Sequence, residues 1–308
     1  MIIDFHSHLY PRALQYDPAI LPSIFDIPGL IRSMDEAGLD AKVVSNPFIY
    51  PPDRGVDLYA LDWVRRYNDF VAEATARHPG RIHGLAAAVP FGGAEHLRET
   101  ERALTDLGLR GVSISSSVGG EYLDSPRATE FWERVTARGV PVFVHPQSRT
   151  VGDELMKPWR LVELMGRPAD TTLTVARMAF AGVLERFPAL TLVLAHVGGF
   201  LAMLVGRLDM GWEVRGDPGM GPPWGAETLT RPPSESIRRL HVDTMCFHPP
   251  AIRAAIETFG VDRVLFGSDC PPVPLPVKRH LDAIRRVGLA PADEAKVLGG
   301  NAARLLRL

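Results

Sequence analysis

The chain is 308 residues long, 46% hydrophobic and 23% charged, with a net charge of −2. That balance describes an ordinary globular protein with a large core. The near-neutral charge gives no footing for nucleic acid or an anionic membrane surface. Two cysteines, Cys246 and Cys270, argue against a disulfide framework, and no apolar run reaches membrane-spanning length. The N-terminus lacks the basic, apolar and small-residue order of a signal peptide. The expectation is therefore a cytoplasmic protein without a processed leader.

Strand-like apolar runs recur along the chain. The first, Ile2-Ile3-Asp4-Phe5, ends in His6-Ser7-His8; alternation along a strand turns both histidines the same way. Further runs lie at residues 41–46, 82–89, 111–115, 141–145, 190–196, 240–244 and 263–269. Several are nearly continuous in Val, Leu and Ile, as in strands buried on both faces of a parallel sheet. Helical spacing appears between them. Residues 27–38 carry apolar side chains at 27, 30, 31 and 34, with Gly38 placed as a C-cap. Residues 56–77, 94–106, 126–138, 171–186 and 250–258 are further helices, and 291–306 form one or two closing helices opened by Pro291. Residues 10–25 and the Gly- and Pro-rich stretch 215–225 read as long excursions after strands. Eight strand–helix units over residues 1–308 predict one (β/α)8 TIM barrel domain with extended βα loops. No Gly-x-Gly-x-x-Gly follows a strand, so a dinucleotide fold has no support.

In a parallel barrel the functional residues sit at the C-terminal ends of strands. Here those ends carry His6 and His8, then His145, His196 and Asp269. Four of the chain's ten histidines thus fall where a site is built. His6, His8 and His145 offer three nitrogens and Asp269 an oxygen, a donor set suited to one catalytic zinc ion; manganese fits the same donors. His196 is the spare group. It serves as a general acid or base, or else hydrogen-bonds a ligand or acts as one itself. The glycines of Val197-Gly198-Gly199 leave room for a ligand to approach the backbone.

At these residues the chain resembles the amidohydrolase superfamily, in the branch of 2-amino-3-carboxymuconate semialdehyde decarboxylase. The matching motifs are Asp4-Phe5-His6-Ser7-His8, Val144-His145-Pro146, Ala195-His196-Val197-Gly198-Gly199, Gly206-Arg207, Val242-Asp243, Gly267-Ser268-Asp269-x-Pro271 and Gly300-Asn301-Ala302-Ala303. The resemblance implies a barrel, usually a homodimer, with metal on His6, His8, His145 and Asp269. It makes His196 the acid–base residue, and Asp269 shares the catalytic site. It places Arg207 on a substrate carboxylate, reaching into the neighbouring subunit, where a guanidinium forks a carboxylate well. Arg207 read alone is equally a surface ion-pair former. Trp159 stands where the branch has an active-site aromatic, and read alone is a packing residue. The fourth strand end, Ser115-Ser116-Ser117, lacks the modified lysine that bridges two ions elsewhere in the superfamily, which favours one ion. Two departures affect the pocket. Residues 19–26 contain no carboxylate-clamping arginine, and Pro272 replaces an aromatic after Gly-Ser-Asp. The implied activity is metal-dependent, non-oxidative decarboxylation of an unsaturated or aromatic carboxylic acid. The alternative is hydrolysis or hydration of a lactone, amide or carbon–carbon bond at the same site.

Overall fold

A computed structural model describes residues 1–12, 22–46, 57, 59–220 and 229–308. Parts of the 10–25 and 215–225 excursions, and the first residues of the helix expected from 56, lie outside the described residues. Eight parallel strands follow one another: β1 (Ile3–His8), β2 (Ala41–Ser45), β3 (Ile82–Gly84, resuming as Ala86–Ala87), β4 (Val112–Ser115), β5 (Val142–His145), β6 (Leu192–Leu194), β7 (His241–Asp243) and β8 (Val264–Leu265). Regular ladders join β1–β2–β3 in one sheet and the resumed half of β3 through β4, β5, β6 and β7 to β8 in another. Single backbone bonds span both seams. Leu85 N–H donates to Val44 O and Ala86 N–H to Gly111 O, each at 2.9 Å. At the other seam Phe5 N–H donates to Phe266 O (2.8 Å), Asp269 N–H donates to His6 O (2.7 Å), and Ser7 bridges Cys270. The fold is the TIM-barrel arrangement that the strand and helix order predicts.

Helices α1 (Ile27–Ala37), α2 (Leu61–Arg77), α3 (Gly93–Thr105), α4 (Thr129–Arg138), α5 (Arg167–Phe180), α6 (Leu201–Glu213), α7 (Pro249–Phe259) and α8 (Val277–Arg285) follow the strands in turn. In α1 the Asp26 side chain accepts from Gly29 N–H at 3.0 Å, Leu30 and Met34 are buried one turn apart, and Gly38 at φ 70° ends the helix. The expected 171–186 helix instead begins at Arg167 with Pro168 in its first turn. It ends at Phe180, because Gly182 at φ 72° breaks the run before a short turn at Val183–Arg186. Helices α6 and α8 are not anticipated by the sequence pattern. Gly206, Gly211 and near-continuous apolar residues blur the period of α6, and α8 emerges behind Pro271, Pro272, Pro274 and Pro276.

Two apolar layers result. Ile3, Phe5, Val43, Leu85, Phe143 and Leu265 fill the barrel, together with Ala302 and Leu306 of the closing helix. A larger layer, including Val71, Val112, Val144 and Phe259, lies between strands and helices. Each fully buried Leu, Val or Phe contributes about 1.5–3 kcal/mol, so these layers carry the fold. Within β1 the register slips by one residue between Asp4 and Ser7. Asp4 therefore points outward and pairs with Lys42, while Phe5 and His6 both turn inward against Phe143.

At the start of β7, burial, reinforced by the charges of Arg263 and Arg304, pushes the His241 imidazole down to about 4. An unfolded histidine titrates near 6.5. Between these values the unfolded chain binds the extra proton, so stability falls as pH drops from about 6.5 toward 4 and the loss levels off below that. The slope is at most about 1.4 kcal/mol per pH unit. Thermal unfolding midpoints measured from pH 7 to 4 are expected to fall, and His241→Gln is expected to flatten that acid limb. An unchanged limb in the variant would assign the loss to other groups.

Candidate metal centre

The strand ends bring His6, His8, His145, His196 and Asp269 together. His6 Nε2 lies 3.1 Å from His8 Nε2 and 3.4 Å from Asp269 Oδ1; His8 Nε2 lies 3.0 Å from the same oxygen. The His145 ring sits 5.1 Å from His6 and 4.8 Å from His8, centroid to centroid. His196 Nε2 is 3.5 Å from Asp269 Oδ2. Donor atoms of His6, His145, His196 and Asp269 all lie within 4.8 Å of one another, and His8 joins them through His6 and Asp269. All five residues are buried.

The supporting contacts aim these atoms inward. His6 Nδ1 donates to Asp243 Oδ2 at 2.5 Å, and His8 Nδ1 sits 3.2–3.3 Å from Ser45 Oγ and O, so both histidines turn Nε2 toward the cluster. Asp243 does more. Its Oδ1 accepts from Val197 N–H (2.9 Å) and Met245 N–H (3.0 Å). Val197 and the adjoining His196 have φ of 59° and 56°, and Asp269 has φ of 55°, conformations costly for side chains with a Cβ. Asp243 thus holds both the first histidine and the strained turn that presents His196. On the outward face Asp4 accepts from Ser268 N–H (2.9 Å), Ser268 Oγ–H (2.5 Å) and Ser7 Oγ–H (3.0 Å) and pairs with Lys42 Nζ at 3.1 Å, fixing the backbone beside Asp269.

Glycine packing explains two motifs. A Cβ on Gly267 would come within 2.8 Å of His6 Cβ and 2.9 Å of Asp243 Cβ, so Gly-Ser-Asp needs its glycine for β8 to pass the site. A Cβ on Gly199 would meet Pro168 O at 2.2 Å, and one on Gly198 would meet the Val242 side chain at 2.8 Å. These two glycines seat the turn against α5 and β7; the space beside them is filled by protein, not left open for a ligand as the sequence suggested.

The donors fit a divalent ion. Neither ring nitrogen of buried His145 has a hydrogen-bond partner among the described residues, nor has His196 Nδ1. Asp4, Asp243 and Asp269 bring three buried negative charges to this network and Lys42 brings one positive charge. With neutral histidines the remainder is −2, the charge that a divalent ion cancels. Without an ion the polypeptide compensates differently. Burial pushes the His6 imidazole down, but Asp269 and Asp243 outweigh it and raise it to about 10. Burial, with the neighbouring His8, His6 and His196, holds His145 well below the usual imidazole range. Burial pushes the Asp269 carboxyl up, yet His6 and the hydrogen bonds from His196, His6 and His8 hold it well below the usual carboxylate range.

The other two sequence candidates lie apart from the cluster. Arg207 is exposed on α6 and makes no hydrogen bond or ion pair among the described residues. Trp159 stands 83% exposed on a turn after β5, at φ 56°. The roles of Asp243 and of the Asp4–Lys42 pair escape sequence reasoning. The available signals were a carboxylate ending the seventh strand and a lysine inside the apolar run 41–46.

A barrel with nitrogen and carboxylate donors converging at its strand ends defines a metal-dependent enzyme of the TIM-barrel type. The family described as Amidohydrolase (Amidohydro_2) matches residues 3–308, and the chain belongs to it. It is 31% identical over 251 residues to 2-amino-3-carboxymuconate-6-semialdehyde decarboxylase of Dictyostelium discoideum, covering 81% of this chain and 67% of that one. It is 27% identical over 294 residues to gamma-resorcylate decarboxylase of Polaromonas sp. JS666, covering 90% and 86%. Among solved structures, 5-carboxyvanillate decarboxylase LigW from Sphingomonas paucimobilis superposes with a TM-score of 0.86 at 26% identity, over 100% of this chain and 99% of that one.

Replacing His145 or Asp269 by Ala is expected to lower the ion content of purified protein well below one per chain, measured by elemental analysis. Asp243→Asn is expected to weaken ion affinity about 10- to 100-fold, the usual effect of losing a histidine's outer partner. Full stoichiometric metal in both alanine variants would refute this ligand set.

Proposed function

We propose that this protein is a non-oxidative decarboxylase of unsaturated or aromatic carboxylic acids, working as a cytoplasmic homodimer with one divalent ion per subunit. The observation that carries this reading is the convergence of His6, His8, His145 and Asp269 with a fifth group, His196, beside them. Three imidazoles and a carboxylate suit zinc, with manganese as the alternative, and elemental analysis separates the two. Held by His6, His8, His145 and Asp269, the ion would supply the Lewis-acid charge that binds and polarises substrate oxygen atoms.

Direct loss of CO2 would leave a carbanion, a barrier too high without an electron sink. His196 removes that difficulty by delivering a proton to the carbon that bears the carboxylate, drawing its new bond from the adjacent unsaturation. The bond to the carboxylate then breaks, its electron pair restores the unsaturation, and CO2 leaves. Asp269 Oδ2 lies 3.5 Å from His196 Nε2, beside the ring that would deliver the proton. The strained turn and its anchor on Asp243 fix where His196 points.

The surface around Arg207 fits a second copy of this chain. Phe200, Met203 and Met210 are exposed along one stripe that includes Arg207, and Leu155, Trp159, Leu164 and Met165 are exposed on the segment after β5. Apolar side chains at this density mark a contact surface. Pairing these faces carries Arg207 toward the neighbouring site, where it binds a substrate carboxylate with Trp159 alongside.

Metal-replete protein incubated with mixed aromatic and unsaturated acids, lactones and amides is expected to release a product lighter by CO2. His196→Ala is expected to keep its metal and lose about 10²- to 10⁴-fold in kcat. A product heavier by water, or cleavage into two pieces, would replace this reading by hydrolysis or hydration. Arg207→Ala and His145→Ala proteins, each inactive alone, are expected to regain activity when mixed and allowed to exchange subunits. No regain, with a dimer confirmed by sedimentation, would place Arg207 outside the partner's site.

A further inference from the structure

The turn that presents His196 is strained along its whole length. His196, Val197, Gly198 and Gly199 follow one another with φ of 56°, 59°, 70° and 66°, all in the left-handed region. Such a run persists only where the surrounding structure holds it at both ends. The imidazole contributes little to holding itself. His6 and His8 are each aimed by a partner on Nδ1, at 2.5 and 3.2 Å, whereas His196 Nδ1 has no partner among the described residues. Its Nε2 makes a longer contact, 3.5 Å, with Asp269 Oδ2. The direction of this ring therefore depends on the backbone that carries it.

Asp243 holds the near end of the turn, through Val197 N–H. The far end rests on Thr172. Phe200 N–H donates to Thr172 Oγ1 at 2.8 Å, and the same hydroxyl donates to Pro168 O at 2.8 Å. An amide N–H only donates and a carbonyl only accepts, so the group between them has to do both, as a hydroxyl does. Thr172 is buried in α5. Gly199 lies so near Pro168 O and Thr172 Oγ1 that a Cβ there would strike both. Helix α6 begins at Leu201, one residue past this bond, so Thr172 also sets how the chain leaves the turn.

We propose that Thr172 is a positioning residue for His196: its hydroxyl clamps the far end of the left-handed turn, opposite Asp243, and so fixes where the imidazole points. Thr172 acts through the backbone of Gly199 and Phe200. Its two hydrogen bonds are both to main-chain atoms, outside the donor cluster. Valine in its place keeps the branched shape but leaves Phe200 N–H and Pro168 O unpaired, whereas serine keeps both bonds. The part this plays in proton delivery rests on the decarboxylase reading, but the clamp is measurable without turnover.

The experiment is NMR of zinc-loaded protein carrying carbon-13-labelled histidine, with the His196 Cε1–H resonance assigned by its loss in His196→Ala. In Thr172→Val that resonance is expected to shift by more than its width or to split. Zinc content and the resonances of His6, His8 and His145 are expected to stay as in the wild type, and Thr172→Ser is expected to restore His196. For any acid that releases CO2 in the mixture described above, Thr172→Val is expected to lower kcat about 10- to 100-fold with KM within about threefold, and Thr172→Ser to recover most of the loss. A His196 resonance unmoved by valine, one not restored by serine, one that moves only together with the other histidines and loss of zinc, or an unchanged kcat overturns the proposal. If Thr172→Val does not fold, the wild type decides. Its Phe200 amide is expected to exchange with solvent about 100-fold slower or more than a free peptide, and unprotected exchange overturns the clamp. No CO2 release from any acid, with the resonances behaving as expected, would instead overturn the decarboxylase reading and leave the clamp intact.

Discussion

The charge buried around His6 governs the rest of this structure. Three carboxylates and one ammonium are drawn out of water, two of the carboxylates at strand ends and the Asp4–Lys42 pair within β1 and β2, and a buried net charge of that size is tolerated only when something cancels it. The polypeptide alone manages this by holding a proton on His6 between Asp243 and Asp269. A divalent ion does it fully. The same carboxylates that create the need also hold the geometry. Asp243 ties β7 to β1 and to the turn after β6, and Asp4 ties β1 to β2 and to the backbone of Ser268. Electrostatics and architecture are here carried by the same atoms.

That coupling explains where the strain sits. His196, Val197 and Asp269 occupy left-handed backbone conformations, each costing on the order of 1 kcal/mol or more. The hydrogen bonds from Val197 N–H to Asp243 and from Asp269 N–H to His6 O hold them there. The proton-donor role proposed for His196 needs placement to within a fraction of an ångström, and a rigid turn achieves this better than a mobile side chain on a relaxed loop.

Much of the barrel is visible in the sequence because parallel strands buried on both faces write themselves as runs of Val, Leu and Ile, and their ends carry the chemistry. Residues 141–145 and 190–196 show this directly. What stays hidden depends on contacts between distant positions. The slip in β1 that separates Asp4 from His6 leaves no local mark, because Asp4-Phe5-His6 reads as plain alternation. Gly199 looks like room for a ligand until Pro168 is seen against it. Helix α6 hides because Met203 and Met210 lie on its solvent side as Leu201 and Val205 lie on its core side, a pattern that periodicity cannot resolve. Trp159 and Arg207 are legible as candidates from motif likeness, yet one chain alone leaves both at the surface.

The seam between β1 and β8 has a consequence for how the protein is made. His6 and Asp269 come from the first and last strands of the barrel, and the backbone bond between them closes it. During synthesis the two histidines of β1 emerge well before their carboxylate partner after β8. The nascent chain can therefore hold an ion only loosely until the final strand slots in beside the first. Completion of the proposed ligand set and closure of the ring become a single event, and a chain truncated before β8 is left with neither.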